Sequence, residues 1–223
     1  MAIVFVVRHG QASFGSANYD SLSELGRQQA RWLGEYFAER GIRFRCAISG
    51  ELVRQQDTAR EILAAMGQPA EFLVHSGLNE YDGAAVYTAY TGRVDQHVHQ
   101  RTDYRDYWRT FRAAYAAWIN DELTNITETW GDFGARIQSA LARACEGAGK
   151  DDTILVVTSG GVIGRIVNDV LRGAPQSCVE LNFQFRNAAF CELIAAGNSL
   201  KLLSFNSVPH LDRPERRHAL TFV

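Results

Sequence analysis

Apolar residues follow two rhythms along this chain. The first is the short unbroken run, as in residues 3–7 ("IVFVV"), "FRCAIS" and "TILVVT". Such runs read as strands buried on both faces. The second recurs every three or four residues and reads as amphipathic helix. In "SLSELGRQQARWLGEYFAERG" the apolar face is Leu25, Ala30, Leu33 and Phe37, and Gly41 supplies the stop. In "GELVRQQDTAREILAAMG" it is Leu52, Ala59, Ile62, Leu63 and Met66, with Gly67 and Pro69 ending the helix. "EFLVHSGLNE" predicts a third strand leading into polar residues. "GDFGARIQSALARACEGAG" predicts a helix on Phe133, Ile137, Leu141 and Cys145. "TILVVTSGGVIGRIVNDVLRG" predicts a strand, a Gly-Gly turn and a helix ending near Gly173. "AAFCELIAA" and "LKLLSFNS" predict a closing strand pair joined through Gly197-Asn198.

From about residue 83 to 130 the strand rhythm disappears. "YRDYWRTFRAAYAAWINDEL" carries Tyr104, Trp108, Phe111, Tyr115, Trp118 and Ile119 at helical spacing, a stripe expected to pack against the main body or a neighbouring helix. The expectation is one domain over residues 1–223, with a helical insertion at about 83–130 over the active-site end, as a lid. Alternating strands and helices predict an α/β fold, a mainly parallel sheet covered on both faces. Ligands of such sheets collect at the carboxyl ends of the strands.

Composition adds exclusions. The 223 residues are 46% hydrophobic and 22% charged with a net charge of -2, so no basic field invites nucleic acid or an anionic membrane. No run approaches the ~18 apolar residues of a membrane span, and Arg8 interrupts the first run too early for a signal peptide. Cys46, Cys145, Cys178 and Cys191 lack metal-site spacing and sit in apolar segments, which predicts buried thiols and a cytoplasmic protein.

The chemistry gathers at the strand ends. Arg8 and His9 follow the first strand, Ser49 and Arg54 the second, Glu80 the third, and Ser159-Gly160-Gly161 the fourth. If the strands are parallel neighbours, these groups share one cleft. Arg8 and Arg54 offer planar forks that match phosphate oxygens. Arg54 in the first turn of its helix, and the Gly160-Gly161 turn opening the next, add backbone N–H groups suited to an anion. Neutral His9 is a candidate nucleophile, its pKa lowered by the arginines. Glu80 is a candidate acid towards the leaving oxygen and then a base towards water. Taken singly, each residue has an ordinary structural explanation; their recurrence at four strand ends points to phosphoryl transfer.

"VVRHGQ", "LSELGRQQA" (22–30), "ISGELVRQQDTA" (48–59), "LNEYDG" (78–83), "ETWGDFGARIQSAL" and "ILVVTSGGVI" together resemble the histidine phosphatase superfamily, which includes the cofactor-dependent phosphoglycerate mutases. The resemblance runs in order from residue 3 to about 170. It implies a three-layer α/β/α sandwich, a phosphohistidine on His9, Arg54 as second phosphate arginine, Glu80 as acid, and neither metal nor other cofactor. Two departures stand out. Ser159 occupies the place of the usual second histidine, so a neutral donor replaces a charged one and phosphate or transition-state binding is expected to be weaker. Ala12 and Gly15 stand where a Thr or Ser and then an Asn are common; Gln11 or Ser13 is a candidate to compensate. His210, in the polar loop "FNSVPHLDRP", is a candidate to approach the site from the tail. His75, His97, His99 and His218 have no stronger claim. The expected activity is hydrolysis of a small phosphomonoester. The alternatives are phosphoglycerate mutase-type transfer, disfavoured because "GSANYDSLSE" lacks a Gly-Trp-x-Asp stretch, or a phosphate-binding scaffold, suggested by Ser159. Specificity is expected from the insertion and the loop from Gln11 to Asp20, with Tyr19, Tyr81, Tyr87 and Tyr90 as candidate contacts. Oligomeric state stays open.

Overall fold

The computed structural model describes residues 1–13, 20–93, 104–196 and 199–222. The opening apolar run forms β1 (Ala2–Arg8), whose side chains alternate between two cores. Phe5 and Val7 join one cluster, Val4 and Val6 the other. The run is continuous because both of its faces are buried. β4 (Thr153–Thr158) does the same with Leu155 and Val157 on one side, Ile154 and Val156 on the other.

Six strands form one sheet in the order β3-β2-β4-β1-β5-β6, with β2 at Cys46–Ser49, β3 at Leu73–Val74, β5 at Phe190–Ala196 and β6 at Ser199–Ser207. β1, β2, β3 and β4 pair in parallel; β5 runs antiparallel to both β1 and β6. The sheet is therefore mixed and mostly parallel, flanked by helices on both faces. On one face α1 (Glu24–Glu39) and α2 (Val53–Ala65) bury Ala30, Leu33, Phe37, Ala59, Ile62 and Leu63. The other face carries α5 (Trp130–Cys145) and α6 (Gly160–Leu171), through Phe133, Ile137, Ile163 and Val167. Full burial of each Leu, Ile, Val or Phe among them contributes roughly 1.5–3 kcal/mol.

Between residues 83 and 130 lie α3 (Gly83–Thr91) and α4 (Tyr104–Ile119). The α4 stripe is core: Phe111, Tyr115, Trp118 and Ile119 are buried, and Trp118 packs within 5.1 Å of Trp130 and of Tyr81 between ring centres. A Thr129–Asp132 capping box starts α5 where this region ends.

Four details differ from the sequence reading. The third strand shrinks to Leu73–Val74, both exposed at the sheet edge, because the chain turns at once into a 3₁₀ helix, Ser76–Leu78, capped by His75 Nδ1 accepting from the Gly77 N–H. Leu25 is only half-buried; Gln29 and Gly26 take the buried positions in its turn of α1. A further helix, α7 (Ser177–Gln184), carries no strong apolar period and buries only Cys178 and Val179. The cysteines are free thiols, but Cys46 and Cys145 are half-buried rather than buried. Burial pushes the Cys178 and Cys191 thiols up to about 12. No helix among the described residues is long and apolar enough to cross a membrane.

Candidate active site

The parallel register sets the site. Arg8 pairs with Thr158 and Ser49 with Val157, so β1, β2 and β4 end level with one another. The ladder continues one residue further, where the His9 N–H donates to Thr158 O at 2.9 Å. On the antiparallel side Ala188 N–H donates to His9 O at 3.2 Å. The His9 backbone is thus clamped from both neighbours, and its side chain is only 6% exposed.

The imidazole is fixed as one tautomer by its partners. Nδ1 lies 2.7 Å from Gly10 O, an acceptor only, so Nδ1 carries the proton. Nε2 therefore keeps its lone pair and accepts from Arg54 Nε at 3.2 Å. Burial first, then Arg54 and Arg8, hold the His9 pKa well below its ordinary value; the Gly10 carbonyl opposes them. The leading cause is burial, which no count of neighbouring arginines in the sequence supplies. Gly10 itself is pressed against α1: a Cβ there would stand 2.3 Å from Gly26 O.

Arg54 is held from behind. Its Nη1 donates to Asp20 Oδ1 at 2.7 Å, and the other Asp20 oxygen accepts from Val53 N–H at 2.8 Å, the first residue of α2. The carboxylate at that helix start is Asp20. Thr58, one turn after Arg54, accepts from Gly10 N–H at 3.0 Å and donates to Arg54 O at 2.7 Å, tying α2 to the His9 loop.

Glu80 sits at the other helix start. Its Oε2 accepts from Gly161 N–H at 3.1 Å, in the first turn of α6, and its Oε1 from Tyr81 N–H at 3.3 Å. Burial raises its pKa, against the pull of those N–H groups and of Arg54 and Arg8. The rise precedes any bound phosphate. Gly161 is required by this packing, since a Cβ would stand 2.5 Å from Glu80 Oε1 and 2.4 Å from the Tyr81 ring. Gly160 is confined likewise by Asn182 Oδ1, at 2.6 Å from a Cβ.

Arg8, His9, Arg54 and Glu80 therefore converge, since Arg54 and Arg8 each act on both His9 and Glu80. Arg8 donates from Nη1 to the carbonyls of Phe185 and Phe222, the latter at 2.7 Å. Arg8 and Glu80 open into a cavity of about 420 Å³. A larger hollow of about 680 Å³, against Phe44, Cys46 and Phe72 at the opening end of β2, holds none of these residues. Among the described residues no cluster of three His, Cys, Asp or Glu is placed to hold a metal.

The other candidates make contacts of their own. Ser159 is fully buried, its Oγ accepting from Gln55 Nε2 at 2.8 Å. Gln11 braces the start of α1, its Oε1 accepting from the N-cap Ser23 hydroxyl at 2.9 Å. Ser13 N–H donates to Ser21 O. His210 is 2% exposed beyond β6, with neither ring nitrogen hydrogen-bonded among the described residues; its carbonyl accepts from Arg216 Nη1 at 2.7 Å. Tyr81 and Tyr87 are buried and Tyr90 exposed; Tyr19, Gly15, His97 and His99 lie outside the described residues. Asp20, Gln55, Thr58, Asn182 and Phe222 were not singled out from sequence. Two had a signal: Gln55 and Thr58 share the helical face of Ala59, Ile62 and Leu63, polar residues on an apolar stripe.

The family model of the histidine phosphatase superfamily (branch 1) matches residues 4–208. The chain belongs to this superfamily. Within it, partial relatives include the 2,3-bisphosphoglycerate-dependent phosphoglycerate mutases of Sinorhizobium fredii, 38% identical over 84 residues, and of Rhizobium etli, 39% identical over 84. Each match covers 34% of this chain and 40% of the relative, so the chain spans about two fifths of the length of the curated relatives it matches. Solved structures match across nearly the whole superfamily domain. Bacillus stearothermophilus YhfR aligns at a TM-score of 0.70 with 15% identity, covering 94% of this chain and 99% of that one. A mycobacterial glucosyl-3-phosphoglycerate phosphatase with inorganic phosphate aligns at 0.68 with 20% identity, covering 94% and 99%. At these identities the likeness establishes the α/β fold.

Proposed function

We propose that this histidine phosphatase superfamily member hydrolyses small phosphomonoesters through a phosphohistidine on His9. One observation carries the reading: a buried imidazole with its proton on Nδ1 keeps its Nε2 lone pair against Arg54, and the same two arginines, Arg54 and Arg8, act on both that imidazole and the Glu80 carboxyl group of raised pKa. Arriving phosphate oxygens take over the Arg54 Nε–H that now caps Nε2, which frees the lone pair as it neutralises the phosphate. Nε2 then bonds to phosphorus and the P–O bond to the alcohol breaks. Its electron pair leaves with the alcohol oxygen, which takes the Glu80 proton. In the second half Glu80, now a carboxylate, accepts a proton from water. The water oxygen bonds to phosphorus, the P–N bond returns its electrons to Nε2, and inorganic phosphate leaves. Arg8 and Arg54 stabilise the charge on the transferring group throughout. Two solved neighbours carry phosphatase names, a glucosyl-3-phosphoglycerate phosphatase and an Entamoeba histolytica phosphoserine phosphatase, which supports hydrolysis of small substrates.

The test is phosphate release, without added metal, from p-nitrophenyl phosphate and a panel of sugar and glycolytic phosphates. The wild type turns over, His9→Ala does not, and Glu80→Gln is slowed. Turnover by His9→Ala, or none by a folded wild type, overturns the reading; phosphate binding without turnover would instead fit a scaffold. The mutase relatives motivate a second reading. Interconversion of 2- and 3-phosphoglycerate dependent on 2,3-bisphosphoglycerate would favour it.

A further inference from the structure

The walls of the cavity beside Arg8 and Glu80 are aromatic. Tyr81, Tyr107, Trp108, Phe111, Phe183 and Phe222 supply them, from the segment after the 3₁₀ helix, from α4, from α7 and from the chain end. The rings brace one another. Trp108 meets Phe183 edge-on, 5.2 Å between ring centres at 84°, and Phe111 at 5.8 Å and 77°. Tyr107 stacks on Tyr87 at 5.4 Å and 27°. A wall locked in this way is preformed, so a ring entering it need not first order the side chains.

Asn182 and Arg112, polar residues of the lining, already have partners. Asn182 Nδ2 donates to Tyr81 OH at 3.1 Å. Arg112 pairs with Glu180 and lies 4.8 Å over the Phe183 ring. A sugar or glycerol moiety seated here would shed water from its hydroxyls against ring faces that do not replace those hydrogen bonds, which opposes binding. A flat apolar group loses nothing polar and gains the contact. The volume, about 420 Å³, suits a small organic molecule.

We propose that this cavity is a leaving-group subsite for aromatic alcohols, so that the preferred ligands are phosphomonoesters of aryl or arylalkyl alcohols rather than of sugars or glycerate. The inference rests on the proposed function for its orientation, with phosphate at Arg8 and the alcohol towards Trp108 and Phe183.

Binding tests it without turnover. Titration calorimetry compares phenylphosphonate, methylphosphonate and 2-hydroxyethylphosphonate, which share the phosphorus end and are not hydrolysed. Phenylphosphonate is expected to bind roughly 10- to 100-fold tighter than methylphosphonate, the gain from burying one ring, and 2-hydroxyethylphosphonate no tighter. In Trp108→Ala and in the milder Phe183→Leu the phenyl-to-methyl ratio falls, most in Trp108→Ala. Equal affinities within about twofold, or a preference for the hydroxyethyl ligand, overturn the proposal. A phenyl preference that both variants leave unchanged also overturns it, since the ring then binds elsewhere. Turnover separates the two readings: 2-phenylethyl phosphate and glycerol 3-phosphate both release a primary alkoxide, so their kcat/KM ratio reports the subsite rather than leaving-group reactivity. A phenyl preference in binding with no His9-dependent turnover of either ester leaves the subsite standing and removes the phosphatase.

Discussion

Gly161→Ala tests the placement of Glu80 without touching a charged group. The new methyl would stand 2.5 Å from Glu80 Oε1 and 2.4 Å from Tyr81 Cε1. Tyr81 cannot yield easily, because its ring is packed against Tyr115 at 5.1 Å and Phe133 at 5.8 Å, both fully buried. The first turn of α6 must therefore back away from the ring, and the carboxyl group held by its Gly161 N–H must move as well. Ordinary contact needs about 3.5 Å, so Oε1 retreats by about 1 Å. A displacement of that size can cost on the order of 100-fold, and general acid catalysis as a whole is worth about 10²–10⁴. The expectation is a drop of about 100-fold in kcat for alkyl phosphates, whose alkoxides need the proton, and a smaller drop for p-nitrophenyl phosphate, whose phenolate leaves unaided. Overpacking should remove about 1–3 kcal/mol of stability, partly offset by the better helix propensity of alanine. The assay is steady-state kinetics on both ester types for wild type, Gly161→Ala and Glu80→Gln, with a thermal melt to show that each is folded. A folded Gly161→Ala that hydrolyses alkyl phosphates at the wild-type rate would refute the reasoning, and so would equal losses on both esters.

The remaining predictions concern protons and anchoring. Activity should decline with rising pH through the raised Glu80 pKa, as the acid is lost, and with falling pH through the lowered His9 pKa, as the nucleophile protonates. A rate–pH profile in which Glu80→Gln keeps the alkaline limb would contradict the assignment. Buried His210 titrates near 3 against an ordinary 6.5. Below about 6.5 the unfolded chain takes up a proton the folded chain refuses, and stability falls by about 1.4 kcal/mol per pH unit towards pH 3. His210→Leu should remove that share, roughly 2 kcal/mol between pH 6.5 and 5 in urea denaturation; an unaltered pH dependence counts against it. Asp20→Ala loses both the α2 cap and the Arg54 anchor. It should cost about 1 kcal/mol of stability and raise KM several-fold. Asp20→Asn, which keeps an acceptor for Val53 N–H, should recover most of the stability but not the KM; a KM unchanged in Asp20→Ala would show that Arg54 needs no anchor.

What the sequence determined by itself is local and periodic. Unbroken apolar runs at β1 and β4 announced strands buried on two faces, and the three-to-four repeat announced α1, α2, α5 and α6. Short motifs at strand ends then marked Arg8, His9, Arg54 and Glu80, because parallel strands bring their carboxyl ends level. β3 forms where its apolar run predicted a strand but keeps only two residues, exposed at the sheet edge, because the chain turns at once into the 3₁₀ helix. α7 was silent because a helix burying two side chains has no stripe to read. Only the tertiary structure decided the rest. The tautomer of His9 follows from a carbonyl and a guanidinium placed on either side of the ring. The burial that shifts His9 and Glu80 exists only when helices cover the sheet. Asp20 reaches Arg54 across 34 positions of sequence, and Asn182 reaches Tyr81 across 101. Such contacts depend on where loops and helices pack, and no residue pattern within either segment encodes them.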